Sequence, residues 1–194
     1  MAEPRAAEPA RLIVGALTAF PEAWDRARRR LVELFGAIDL EAGPLDFNFT
    51  DYYRNEMGAG LRRHFASFPK LIAQDEIAGI KHRTNALEVE LVRAEWPVRR
   101  PVNLDPGYVT LGKLVLGTTK DQTHRIAVGP DMYAEVTLRY AGGRFVPNEW
   151  TYADYRTEAY QAFFARVRGV LHSQLEAQRH KGTEAQRDKG GENG

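Results

Sequence analysis

The chain has 194 residues, 43% of them hydrophobic and 27% charged, which suits one globular domain with a core of its own. A formal net charge of +1 argues against a dedicated DNA binder, which carries a strong or concentrated basic excess. The chain contains no cysteine, and this excludes disulfides, thiolate catalysis and cysteine-ligated zinc.

The opening "MAEPRAAEPA" has acidic residues and prolines but no apolar centre, so it does not read as a signal peptide. No apolar stretch approaches the roughly 20 residues that span a bilayer. A cytoplasmic protein with no membrane partner is expected. Residues 1–10 and the polar, Gly-rich segment 179–194 read as disordered tails around a single domain over 11–178.

"RLIVGAL" from Arg11 is a compact apolar run that predicts a buried strand. A helix follows from Pro21, with Trp24, Ala27, Leu31 and Leu34 on one face and Gly36 to end it. "LDFNFT" alternates Leu45, Phe47 and Phe49 as a half-buried strand does, and Leu61 to Phe68 supplies an antiparallel partner. A second helix is predicted from about Asp75 to Glu95, with its stripe at Ile77, Ile80, Thr84, Leu87 and Leu91 and a stop at Pro97.

"PVNL" reads as a short strand. Over 110–119 two periods compete: alternation suits a strand, whereas Leu111, Leu114, Val115 and Thr118 fit a helical stripe capped by Thr110. The short helix is the preferred reading. From His124 onward a meander is predicted, with turns at Gly129–Asp131 and Gly142–Gly143. An amphipathic helix starts near Thr157. The order strand, helix, strand, strand, helix, strand gives an α+β fold, a ferredoxin-like split βαβ core extended by a C-terminal meander and a final helix.

"GYVTLGKL" falls one residue short of a phosphate-binding loop. Gly107, Gly112 and Lys113 match the G-x-x-x-x-G-K spacing, but Leu114 occupies the place of the magnesium-binding hydroxyl. Its interior is β-branched and apolar, which suits regular structure better than a phosphate cradle. The stretch is nevertheless polar and basic. From Arg99 to Arg125 there are five Lys or Arg and two acids, a local charge of +3.

Lys113, Thr118, Thr119, Lys120 and Arg125 offer point charge, compact donors and a bidentate fork for a phosphoryl or carboxylate group. His124 is a candidate acid or base, with Asp121 and Asp105 to orient these groups or hold a divalent ion. Tyr52, in "FTDYYRNEMG", is a candidate for stacking on a base or sugar across from them. The competing reading is a solvated loop, with Asp105-Pro106-Gly107 making a turn. Trp150 and Tyr152 are expected to pack the final helix. Glu135, if it points inward from its strand, needs a partner such as Arg125. The five histidines show no metal-binding spacing, so no metal site is assigned and the cofactor is left unnamed.

"FTDYYRNEMG", "VNLDPGYVTLGKLVLGTTKDQTHRI", "MYAEVTLRY" and "WTYADYRTEAY" resemble the signature blocks of a bacterial family, domain of unknown function 4416. The likeness spans Leu12 to Arg168. The family brings no established activity to carry over. Some members bear the label "GTP-binding protein", which the motif does not support here. The resulting expectation is a binder of a small phosphorylated or anionic ligand, a nucleotide among the candidates, with an enzyme acting on that ligand as one version of it. The alternative is a non-catalytic RNA- or protein-interaction module.

Overall fold

A computed structural model describes residue 3 and residues 6–190, with side chains described as far as His180. Strand β1 (Ala10–Thr18) is buried along its whole length. Helix α1 (Pro21–Phe35) follows, with proline in its first turn and Gly36 at its end. Next come β2 (Leu40–Asp46), the one-turn α2 (Arg54–Met57), β3 (Arg62–Ile72), α3 (Ile77–Glu90) and β4 (Asn103–Val109). The second half holds β5 (Lys113–Thr118), β6 (Ile126–Gly129), β7 (Met132–Ala141), β8 (Arg144–Pro147) and the long α4 (Glu158–Gly190).

All eight strands join one antiparallel sheet in the order β2-β3-β1-β4-β5-β7-β6, with β8 also pairing β7. β1 and β2 run parallel across α1 with β3 inserted between them, and β3 and β4 run parallel across α3 with β1 inserted between them. This is the expected double split βαβ, with β5 to β8 continuing the sheet from β4.

Both faces of the sheet are covered. Trp24, Ala27 and Leu31 of α1 and Ile77, Ile80 and Leu87 of α3 pack with Leu12, Val14, Ala16, Leu104 and Val115 on one face. Phe163, Phe164 and Val167 of α4 pack with Ile13, Phe65, Leu114 and Leu116 on the other. Arg11 is fully buried among these layers, and its Nη1 donates to Gln174 of α4 at 2.9 Å.

The structure corrects the expectation of a helix over 110–119, since this segment is strand β5 behind a tight turn. A strand covered on both faces reads as a continuous apolar run, because neighbouring residues are buried in opposite directions. Val115 enters the core under α1 and α3, whereas Leu114 and Leu116 enter the core under α4. That run imitates a helical stripe. The strand expected at "LDFNFT" lies earlier, at Leu40–Asp46, because Phe47 leaves the sheet to pack with Leu17, Met57 and Leu61.

The second helix ends at Glu90, five residues before the expected end at Glu95. Helix α4 continues through Arg179 to Gly190, into the segment 179–194 set apart in the sequence as a tail. The rest of that tail, residues 191–194, and residues 1, 2, 4 and 5 of the N-terminal one lie outside the described residues. Among the described residues no helix is long and apolar enough to cross a membrane.

Candidate functional site

The site arises where the sheet divides. β4 and β5 are paired only from Gly107 to Val109 and from Leu114 to Leu116. Toward its start β4 pairs with β1 alone, and toward its end β5 pairs with β7 alone. Pro106 marks the division, since it has no N–H to extend the ladder. The gap opens into a cleft of about 650 Å³, roofed by α3 and by the segments around Tyr52 and Tyr152.

The inner wall is a network of buried charges. Arg63 is 3% exposed; its Nη1 donates to Asp105 Oδ2 at 2.9 Å and its Nη2 to Asp154 Oδ2 at 3.2 Å. Asn103 Nδ2 also donates to Asp105 Oδ2, at 2.7 Å. The two carboxyl groups respond differently. Burial opposes ionisation of Asp105, but the charges of Arg63 and Lys81 and the two hydrogen bonds prevail, so its pKa lies below the ordinary value. For Asp154 burial prevails over Arg63, and the charge of Asp105 adds to it, so its pKa is raised.

Helix α3 adds Lys81 and Glu88, both buried. Lys81 Nζ donates to the Leu104 carbonyl at 2.8 Å. Glu88 accepts from the Leu104 N–H at 2.7 Å and from Arg100 Nη2 at 2.6 Å, while burial raises its pKa. Arg100 also donates to Asn103 Oδ1. Lysine and glutamate thus hold both backbone groups of Leu104, fixing the start of β4 against α3.

The outer wall is built by Thr118, Thr119 and Lys120 at the end of β5. Lys120 Nζ lies 3.3 Å from the Tyr52 hydroxyl and over the Tyr52 ring. Tyr53 supports that ring edge-on at 5.0 Å, and burial pushes its own hydroxyl up to about 12. Arg125 is a brace: it donates to Glu135 Oε2 at 2.8 Å, to the Lys120 carbonyl at 2.9 Å and to the Tyr152 hydroxyl at 2.7 Å. Behind it His124 Nε2 stands 3.0 Å from the same Glu135 oxygen and stacks on Trp150.

Over residues 8–170 the sequence matches the family described as "Domain of unknown function (DUF4416)". The chain belongs to that family. Neither the curated proteins nor the solved structures hold a match. Every residue lining the cleft, from Phe47 to Tyr155, falls inside the DUF4416 region.

Within this DUF4416 domain Tyr52, Asp105, Thr118, Thr119, Lys120 and Arg125 all line the cleft. Three other candidates do not. Lys113 sits at the opposite end of β5, opposite Arg139, and five residues of strand carry it roughly 16 Å from Thr118. Asp121 is exposed beyond the wall, and His124 lies behind Glu135. Arg125 is already answered by Glu135, as an inward-pointing carboxylate on that strand requires, so it shapes the wall and has no spare charge. Trp150 and Tyr152 do not pack α4; they flank the outer wall, 40% and 48% exposed.

The phosphate-loop likeness has a different origin. Gly107 lies inside β4, where an added Cβ would stand 2.4 Å from the Val115 carbonyl oxygen, so glycine serves close strand pairing. Among the described residues no group of three or more His, Asp or Glu side chains is placed to hold a metal ion.

Arg63, Lys81, Glu88, Arg100 and Asp154 were not singled out from the sequence. One signal was available for two of them. Lys81 follows Ile77 by four residues and Glu88 follows Lys81 by seven, which puts both on the buried stripe of α3. Charges on an apolar stripe call for partners, and these partners form the inner wall.

Proposed function

We propose that the cleft binds a small phosphorylated or otherwise anionic ligand of about nucleotide size. The observation that carries this reading is the state of its cations. Arg63, Arg100 and Arg125 are each held by carboxylates, and Lys81 by a backbone carbonyl. The ammonium group of Lys120 touches only Tyr52 among the described residues, so its charge is left for a ligand. Thr118 and Thr119 place hydroxyl donors beside it, and Phe49, Tyr52 and Tyr152 present exposed aromatic surface at the mouth. The cleft volume lies within the range of roughly 300–1,000 Å³ typical of small-molecule sites.

The test is a thermal-shift panel of pyrophosphate, nucleoside phosphates and sugar phosphates on the parent and on Lys120→Ala. A ligand at about 100 times its Kd stabilises a fold by about 2.7 kcal/mol, a shift of a few degrees. Lys120 is exposed, so the variant should melt with the parent and lose the ligand shift. Equal shifts in both proteins, or none with any anion, would overturn the reading. Binding of mixed RNA that weakens steeply with salt would instead make the cleft part of a nucleic-acid module.

A further inference from the structure

We propose that the inner end of the cleft is a hydroxyl-binding subsite, so that the ligand is polyhydroxylated: a sugar phosphate, or a nucleotide entering by its ribose. The inference rests on the reading of Lys120 as the anion site, and it fixes which end of the ligand goes in first.

The inner wall holds Arg63, Lys81 and Arg100 against Glu88, Asp105 and Asp154, so its charges cancel. An anion placed there gains no net attraction and must disrupt existing ion pairs to obtain donors. The mouth differs, because Arg125 and Glu135 cancel and Lys120 is left over.

The unused valences of the inner wall have a definite chemistry. Asp105 receives both of its hydrogen bonds on Oδ2, and Asp154 receives that of Arg63 on Oδ2. Neither Oδ1 atom receives a hydrogen bond from another described residue, though the Asp154 carboxyl is also met by its own backbone N–H. Lys81 Nζ makes one hydrogen bond and carries three hydrogens. A hydroxyl group donates to a carboxylate and accepts from an ammonium at once, and being neutral it enters without the cost of burying a charge.

A second observation points the same way. Arg63 and Tyr155 both line the cleft and are 3% and 2% exposed, yet Arg63 Nε and the Tyr155 hydroxyl have no hydrogen-bond partner. Buried polar groups are almost always paired, and these two orphans mark an end of the cleft that lacks oxygen partners. Neither atom is open to solvent, so ligand hydroxyls or water become their partners through a small shift of the adjoining side chains.

The experiment is isothermal titration of the full chain with ribose 5-phosphate, 2-deoxyribose 5-phosphate, butyl phosphate and inorganic phosphate. Ribose 5-phosphate should bind at least about tenfold more tightly than butyl phosphate, the worth of one or two charge-assisted hydrogen bonds. Asp154→Asn should remove that margin, read as the ratio of the two affinities, because the altered charge of the inner wall acts on both esters alike. Equal affinity for the two esters in the parent, or a margin that survives in Asp154→Asn, overturns the subsite and leaves the anion site at Lys120 standing. Absence of binding by every phosphate compound refutes the Lys120 reading, and the subsite falls with it. Should Asp154→Asn fail to fold, the two pentose phosphates decide on the parent alone. A several-fold loss for the deoxy sugar supports the subsite, and equal affinity for the two sugars overturns it.

Discussion

Lys120 Nζ stands 3.3 Å from the hydroxyl of Tyr52 and 4.8 Å from the centre of its ring, joining segments 68 residues apart across the mouth of the cleft. Both side chains are exposed, and a cation–π contact in such a setting contributes only about 0.5–1 kcal/mol. The contact can therefore open for a ligand at little cost. Tyr52→Ala should leave stability within roughly 0.5 kcal/mol of the parent. If a base stacks on Tyr52, nucleotide affinity should fall about tenfold while inorganic phosphate affinity stays unchanged, since stacking contributes about 1–3 kcal/mol per base. Urea unfolding and paired titrations check the two halves of this expectation.

Arg63 couples two strands, β3 and β4, and the segment before α4 through Asp105 and Asp154. Replacing it with Met keeps much of the apolar stem but leaves two carboxyl groups without their cation. Removing one partner of a buried pair costs about 3–5 kcal/mol, so Arg63→Met should lower the urea midpoint severely. The loss stems from stranded carboxylates, so adding Asp154→Asn should restore at least about 1 kcal/mol. A double variant no more stable than the single one would show that Arg63 acts by packing alone.

Buried titratable groups also make the fold sensitive to pH, and His64, which lies outside the cleft, gives the clearest case. It stacks on Trp24 at 4.8 Å, and burial, aided by the charge of Arg62, lowers its pKa from 6.5 to about 4. Between those values the unfolded chain holds the proton and the folded one does not, so falling pH favours unfolding. The contribution is complete above pH 6.5 and is lost as pH falls toward about 4. Glu88 and Asp154, with raised values, act in the opposite sense, since each takes up its proton more readily when folded. His64→Phe preserves the stack and removes the titration. Its stability relative to the parent should rise as pH falls through this window, read from urea midpoints at matched ionic strength.

Much of the fold is legible in the sequence because it is written in local periods and punctuation. Pro21 and Gly36 bound α1, Gly142-Gly143 turns β7 into β8, and the stripe of α4 begins where Tyr160 and Phe163 recur. Leu114 to Leu116 fail that test, because a doubly covered strand has no single face to display. The site is legible only where its residues are neighbours in sequence, as from Thr118 to Arg125. Its inner wall is assembled from Arg63, Lys81, Arg100 and Asp154, which belong to four different segments. Charge density along the chain misleads for the same reason. The excess between Arg99 and Arg125 is answered in part by Glu88 and Glu135, which lie outside that stretch.

The two glycines of "GYVTLGKL" provide the last prediction, because a phosphate loop and a hairpin assign them different work. In a phosphate loop both serve the ligand, and replacing either should abolish binding without much effect on the empty fold. In the hairpin seen here Gly107 faces the partner strand, where an added Cβ would meet the Val115 carbonyl oxygen at 2.4 Å and Leu116 Cδ2 at 2.7 Å. Backbone cannot yield as a side-chain tip does, so Gly107→Ala should destabilise by about 3 kcal/mol. Gly112 has open space around its Cβ position and no left-handed φ, so Gly112→Ala should be neutral, or more stable by a few tenths of a kcal/mol through a less flexible unfolded chain. Pyrophosphate affinity of Gly112→Ala should equal that of the parent. A variant that folds normally yet loses pyrophosphate would return the motif to ligand binding, and the turn at Thr110–Gly112 would then have to reach a site that lies at the other end of β5.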